Sequence, residues 1–398
     1  MEKYIISIDQ GTTSCRTILF DKKGTIFDLE QQEFKQILPK KGWVEHDPIE
    51  IWETQLKTLE ILLKKNNLTI SNIDSIGITN QRETTVLWDK KTGKPVYNAI
   101  VWQDNRTLEF CETLKSKNKE PLFKTKTGLV LDSYFSASKI NWILKNIPET
   151  TELIKEDRLL FGTIDTWLIW NLTKGDTHAT DVSNASRTLI YNINELCWDE
   201  ELLELFDIPK SLLPEVKESS DNYGYWNWKG DEIPIYGVAG DQQAALFGQC
   251  CFNSGMAKNT YGTGCFMLMN TGEDPVLSQN GLLTTIAWSI NGKINYALEG
   301  SVFIAGAAIQ WLRDSLQIIS SANETEDLAN KSSDDSVIFV PAFAGLGAPY
   351  WNMKSKGAIF GLTRDTGINE ICKATLEALA LQSRDVILAM EKDANIHL

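Results

Sequence analysis

Histidine is scarce in this chain: His46, His178 and His397 are the only three among 398 residues. A three-histidine metal site would have to recruit all of them, including one at the chain end, so any metal is expected to be a hard cation on carboxylates and phosphates. The seven cysteines, Cys15, Cys111, Cys197, Cys250, Cys251, Cys265 and Cys372, are odd in number and nowhere spaced C-x-x-C. That argues against a disulfide framework and against a zinc knuckle. Positive charge is also short, with 39 Lys and Arg against 53 Asp and Glu for a formal net charge of −14. A phosphate backbone or an anionic lipid surface would on average repel such a chain, so no nucleic acid partner is expected. No run of about 20 apolar residues occurs, and Met1-Glu2-Lys3 leads straight into strand-like sequence without a signal-peptide pattern. We therefore expect no membrane insertion and a cytoplasmic protein. Missing too are a G-x-x-x-x-G-K-[ST] phosphate loop and a G-x-G-x-x-G dinucleotide fingerprint.

What is present points to an α/β protein of more than one domain, since roughly 150 residues make a domain and this length suggests two or three. The opening alternates an apolar run, Tyr4 to Ile8, a polar turn, Asp9 to Ser14, and a second apolar run, Thr17 to Phe20. That pattern reads as a hairpin whose turn is rich in hydroxyls. Strands are expected at Ser75 to Thr79 and Thr85 to Trp88. Helical periodicity runs from Pro48 to Leu63, where Ile51, Trp52, Leu56, Leu59 and Leu63 share a face. Asp47 before Pro48 supplies an N-cap followed by proline at N1. After a polar, irregular stretch at 215 to 232, Ile233 to Ala239 reads as a buried strand ending at Gly240-Asp241, with a helix opening at Gln242. The lobe boundary is expected near residue 250. The second half again starts with a strand and a glycine-threonine turn, Thr260 to Gly264, which hints at duplication without establishing a repeat. Ser320 to Ser336 is polar enough for an exposed loop.

Several of these residues could carry chemistry. In Asp9-Gln10-Gly11-Thr12-Thr13-Ser14 the backbone N–H groups and hydroxyls could cradle phosphate oxygens, with Asp9 near a hydrated Mg²⁺ and Arg16 adding positive charge. An ordinary hairpin turn uses the same residue types. Asp241, between a strand and a helix, could accept the proton of an attacking hydroxyl, although helix N-caps are often aspartate. Arg82-Glu83 offers a donor beside an acceptor, suited to adjacent hydroxyls, while a solvated surface pair is the commoner reading. Trp102, in what reads as the strand Ile100 to Asp104, could pack on the carbon face of a polyol or simply fill a core.

Taken together, five blocks in order resemble the FGGY carbohydrate kinases: Ser7 to Ser14, Thr79 to Thr85, Val101 to Asp104, Ala239 to Leu246 and Asn259 to Cys265. Tyr134 to Trp142 and Gly357 to Glu377 look like the family's two signatures. The resemblance implies two ribonuclease H-like, actin-like lobes around a cleft, with residues 1–250 holding glycerol and phosphates and residues 251–398 holding nucleotide. It implies ATP-dependent phosphorylation of glycerol to sn-glycerol 3-phosphate. Carried over by position, Arg82, Glu83, Trp102, Tyr134, Asp241 and Gln242 would bind glycerol, and Asp241 would be the base. Thr12, Thr13, Ser14, Arg16 and Thr263 would contact the nucleotide phosphates, Gly306 and Gln310 would serve the nucleotide, and Mg²⁺ would bridge phosphates near Asp9 and Asp241. A homodimer or homotetramer is expected from relatives.

The resemblance departs from the family at Ile396-His397-Leu398, where a strand and a Gly-Gly-Ala turn that close over adenosine would follow. The second lobe is therefore expected to be truncated, with lower stability and weaker ATP binding. The loop from Tyr223 to Glu232 lacks a Gly-Gly-Thr-Arg sugar-bisphosphate motif, and Asn227 stands where some relatives carry a phosphorylatable histidine, so neither control is implied. The competing readings are a kinase for another polyol or sugar, a catalytically impaired polyol-binding protein, and an actin-like ATPase sharing only the fold.

Overall fold

A computed structural model describes residues 3–396, so His397 lies outside the described residues. The chain folds as two units, residues 1–244 with 285–295 and residues 245–284 with 296–398. In the strand Tyr4–Gln10 (β1), Ile6 and Ile8 are buried while Ile5, Ser7 and Asp9 face the other side, as the two-residue period of a strand requires. Ser14–Phe20 (β2) runs antiparallel to it with Asp9 opposite Arg16, and Ile26–Glu33 (β3) is antiparallel to β2. Ile73–Asn80 (β4) lies parallel to β1. Tyr225–Trp228 (β5) pairs antiparallel with Asp231–Gly240 (β6), which is parallel to β4. The sheet order is β5-β6-β4-β1-β2-β3, a mixed sheet of the ribonuclease H-like kind.

The register decides where a ligand can sit. Gln10 pairs with Asn80 and Asn80 with Gly240, so the three parallel strands β1, β4 and β6 end at one level. Crevices at the carboxyl ends of parallel strands collect ligands because the following loops diverge there. Pro48–Lys65 (α1) and Ile164–Leu172 (α3) pack on the sheet, and Ser136–Asn146 (α2) and Asp241–Gly248 (α4) are further helices, the last starting directly at the end of β6. Asp47 caps α1 by accepting from Ile49 N at 2.9 Å, Pro48 fills the first turn, and Ile51, Leu59 and Leu63 are buried in the same core as Ile6 and Ile8. In α3 the apolar residues run nearly all round, and Trp167 meets Trp88 edge-on at 5.2 Å in that core.

The second unit carries strands Ala257–Tyr261 (β7), Cys265–Gly272 (β8), Leu283–Ile290 (β9) and Lys293–Val302 (β10), ordered β7-β8-β10-β9, with residues 285–295 of the last hairpin belonging to the first unit. Gly306–Asp314 (α5) and the 27-residue helix Ile368–Ala394 (α6) follow, and Val386, Ala389 and Met390 of α6 share a core with Met267, Met269 and Leu298. Both units open with an antiparallel hairpin whose turn has the same length, residues 11–13 and 262–264.

Four local expectations need correction. The stretch 215 to 232 contains strands at Glu215–Lys217 and Tyr225–Trp228, where Trp226 is buried and anchors the edge. Ser320 to Ser336 includes the helix Glu324–Ala329, which buries Thr325 and Ala329. The helix after β6 begins at Asp241, one residue earlier than Gln242. The strand before Trp102 is only Ala99–Ile100, so Trp102 sits in a turn.

Candidate active site

Arg82 and Glu83 follow the end of β4 and are almost fully buried, at 2% and 1% exposure, so the solvated-pair reading is wrong for them. Arg82 Nε lies 3.3 Å from Asp241 Oδ1, and its Nη1 donates to Gln243 Oε1 at 3.1 Å. Gln243 in turn donates through Nε2 to Ile286 O at 3.2 Å and Thr285 Oγ1 at 3.4 Å. Gly240 lets the arginine lie this close, since its missing Cβ would fall 2.7 Å from Arg82 Cγ and Cδ. Asp241, at the start of α4, accepts from Gln242 N at 2.8 Å and from Gln242 Nε2 at 3.1 Å. Its side chain keeps 37% exposure, enough for the carboxylate to meet a ligand.

Trp102 and Tyr134 form an aromatic wall, edge-on with centroids 5.6 Å apart. The Trp102 indole N–H donates to Thr12 Oγ1 at 3.0 Å, and its backbone N–H reaches Thr84 Oγ1 at 3.3 Å. The hairpin expected to cradle phosphates thus touches the wall expected to hold a polyol. Lys139, wholly buried in α2, donates to the carbonyls of Ser133, Tyr134 and Phe135 at 2.5, 2.8 and 3.2 Å, which fixes the loop bearing Tyr134. Burial pushes this ammonium down to about 8.

At the first hairpin, Arg16 Nη1 pairs with Asp9 Oδ2 at 3.3 Å, and Arg16 Nε donates to Gln31 Oε1 at 3.1 Å. Burial holds the Asp9 carboxyl above its usual range; Arg16 offsets part of this and the negative charge of Asp241 adds to it. The last effect means that the two carboxylates face each other's field. Ser14 is buried and accepts from Gln31 Nε2 at 2.9 Å, while Thr13 stands exposed at the turn.

Thr263, Gly306 and Gln310 lie in the second unit. The turn 262–264 packs on the N-terminus of α5: Ala305 N and Ala307 N donate to Thr263 O at 2.9 and 3.1 Å, and Gly306 N donates to Gly262 O at 2.9 Å. A Cβ on Gly306 would fall 2.6 Å from that oxygen. Thr263 and Gln310 are exposed.

Within the first unit, contacts thus join Arg82 with Asp241 and Gln242, Trp102 with Thr12 and Tyr134, and Asp9 with Arg16, while Asp9 also feels the charge of Asp241. Reading the sequence missed Gln243, Lys139, Ser136 and Arg187. Arg187 Nε donates to Glu83 Oε1 at 2.6 Å, and Ser136 Oγ donates to Glu83 O at 2.9 Å. Buried polar residues in Gln243-Ala244 and Ser186-Arg187-Thr188 were a signal only in hindsight, because nothing in one sequence separates them from surface residues.

Two family models match consecutive stretches, the FGGY family of carbohydrate kinases N-terminal domain over residues 4–248 and its C-terminal domain over residues 257–398. This chain belongs to the FGGY carbohydrate kinases. The match to the FGGY C-terminal domain runs over residues 257–398 and lends no support to the expected truncation of the second lobe. Among FGGY relatives, the glycerol kinase of Desulforamulus reducens is 61% identical over 401 residues, covering 100% of this chain and 80% of that protein. The crystal structure of Plasmodium falciparum glycerol kinase with ADP superposes with a TM-score of 0.91 at 42% identity, over 100% of this chain and 80% of that one. A ligand-bound xylulose kinase from Lactobacillus acidophilus, 24% identical with a TM-score of 0.86 over 97% of this chain and 78% of that one, shares the FGGY fold.

Proposed function

We infer that this chain transfers the γ-phosphoryl group of ATP to a terminal hydroxyl of glycerol, forming sn-glycerol 3-phosphate. The observation that carries the reading is the convergence of Arg82, Glu83, Trp102, Tyr134 and Asp241 at the strand ends of the first unit, with Arg82 bridging to Asp241 at 3.3 Å. Relatives 57–61% identical across essentially the whole chain and bearing the name glycerol kinase support it.

In this reading Arg82 donates to one glycerol hydroxyl, Glu83 and Gln242 bind others, and the Trp102 and Tyr134 rings cover the carbon chain. Asp241 orients the attacking hydroxyl and accepts its proton as the bond to phosphorus forms. Little covalent work falls to the protein, so rate enhancement comes from positioning and from neutralising charge on the transferred group. Residues Thr12, Thr13, Ser14 and Arg16 in the first unit and Thr263 in the second are assigned to phosphates, and Gly306 and Gln310 to the rest of the nucleotide. On the same assignment, residues 1–250 hold glycerol and phosphates and residues 251–398 the nucleotide.

Mg²⁺ fits this chemistry. The raised Asp9 carboxyl beside the field of Asp241 marks a place where a divalent cation would relieve repulsion. No group of three or more His, Cys, Asp or Glu that could hold a metal occurs among the described residues, so phosphate oxygens and water would complete its shell, as is usual for Mg²⁺. When bound it would neutralise phosphate charge.

The reading is tested by ADP release from the purified chain with Mg-ATP, with and without glycerol, beside Asp241→Asn. Release should depend on glycerol and fall about 10²- to 10⁴-fold in the variant. Release stimulated by xylulose but not by glycerol would move the substrate to another sugar, and glycerol binding without turnover would favour the impaired, polyol-binding reading.

A further inference from the structure

Glu83 sits in a conformation that a residue with a side chain rarely adopts. Its φ is +62°, and Thr84 N donates to Arg82 O at 2.7 Å, closing a γ-turn around it. A γ-turn centred at positive φ is strained and persists only where its surroundings over-determine it. Here the Glu83 carbonyl accepts from Ser136 Oγ at 2.9 Å and Thr85 Oγ1 at 3.1 Å, and the Glu83 carboxylate accepts from Arg187 Nε at 2.6 Å. The guanidinium of Arg187 also lies over two rings, 5.3 Å from the Phe135 centroid and 5.8 Å from that of Tyr134. Arg187 is itself 0% exposed, out of reach of a ligand.

We propose that Arg187 is a positioning residue for the polyol: one buried guanidinium fixes the Glu83 carboxylate through Oε1 and braces the Tyr134 ring, setting both before glycerol arrives. This rests on the assignment of Glu83 and Tyr134 to glycerol. The charge balance favours it. Arg82 and the buried Lys139 also lie in the field of Glu83, but Arg82 Nε lies 3.8 Å from Glu83 Oε1 and 3.3 Å from Asp241 Oδ1, so it is shared. Without Arg187 the buried Glu83 carboxylate would lose the counter-charge at 2.6 Å from its Oε1 and draw Arg82 away from Asp241. A site set in advance does not spend binding energy on ordering its own side chains.

The test measures glycerol KM, ATP KM, kcat and thermal melting for Arg187→Met and Arg187→Lys, each alone and combined with Glu83→Gln. Arg187→Met should raise glycerol KM about thirtyfold while ATP KM stays within about twofold, with Arg187→Lys in between because it keeps the charge but not the planar fork. In the Glu83→Gln background, Arg187→Met should add less than about threefold, since little is left to position. An unchanged glycerol KM in a folded variant would overturn the proposal, as would equal rises in both KM values or multiplicative effects in the double variant. If Arg187→Met does not fold, Arg187→Lys decides by the same split between the two KM values. Absence of glycerol-dependent turnover in the unaltered chain would sink the functional reading and this proposal with it, whereas turnover with unmoved KM values sinks this proposal alone.

Discussion

A β-carbon at position 240 would fall 2.7 Å from Cγ and Cδ of Arg82, a side chain pinned at its far end by Asp241 and Gln243. Arg82 could not yield without giving up one of those partners. Gly240→Ala should therefore raise glycerol KM about tenfold, equivalent to about 1.4 kcal/mol of lost binding. Initial rates over a glycerol series would check it, and an unaltered KM would mean that Arg82 has slack the contacts do not suggest. The residue identities at this site are legible in the sequence, because Arg82-Glu83, Trp102 and Asp241 stand in ordered blocks. Their surroundings are not. Glu83 meets Arg187 across 104 positions and Arg82 meets Gln243 across 161, so a pair that usually lies in solvent is buried by partners no local pattern announces.

Elements are read well where a local rule and the tertiary environment agree. Helix α1 begins at Pro48 under an Asp47 cap and buries the face its periodicity marks, ending two residues beyond Leu63. Trp102 is the opposite case: an apolar run suggested a strand, but pairing stops at Ile100 and the indole turns instead to the Thr12 hydroxyl. The second hairpin and α5 form a unit of the same kind, with three backbone N–H groups of residues 305–307 donating to the turn carbonyls of Gly262 and Thr263. Gly306→Ala would push a methyl group to 2.6 Å from Gly262 O and displace that turn. The expected outcome is an ATP KM raised about fivefold or more, by roughly 1 kcal/mol, with glycerol KM unchanged. Equal shifts in both would show that the turn does not serve the nucleotide alone.

Across the whole molecule, the buried His46 and the half-buried His178 make stability respond to mild acid. Burial pushes His46 and His178 down to about 4, from an ordinary 6.5. Between those values the unfolded chain takes up a proton that the folded protein refuses, so stability falls as pH drops from about 6.5 to 4. Asp165 works the other way: burial pushes its carboxyl up to about 7 from 3.8, and its contribution is lost as pH rises through that range. His178, whose Nε2 donates to Phe161 O at 2.8 Å, isolates the first effect. Urea melts of His178→Gln should lose less stability than the unaltered chain between pH 6.5 and 5, by up to ~1.4 kcal/mol per pH unit. A pH-independent difference between the two proteins would contradict this. The division of the chain carries a further consequence for its making. The first unit takes back residues 285–295, and Gln243, which steadies Arg82, hydrogen-bonds to Thr285 and Ile286. A ribosome releasing the chain in order delivers residues 245–284 before that piece, so the brace on Arg82 cannot be finished until much of the second unit has also emerged. No single cut can free the first unit intact.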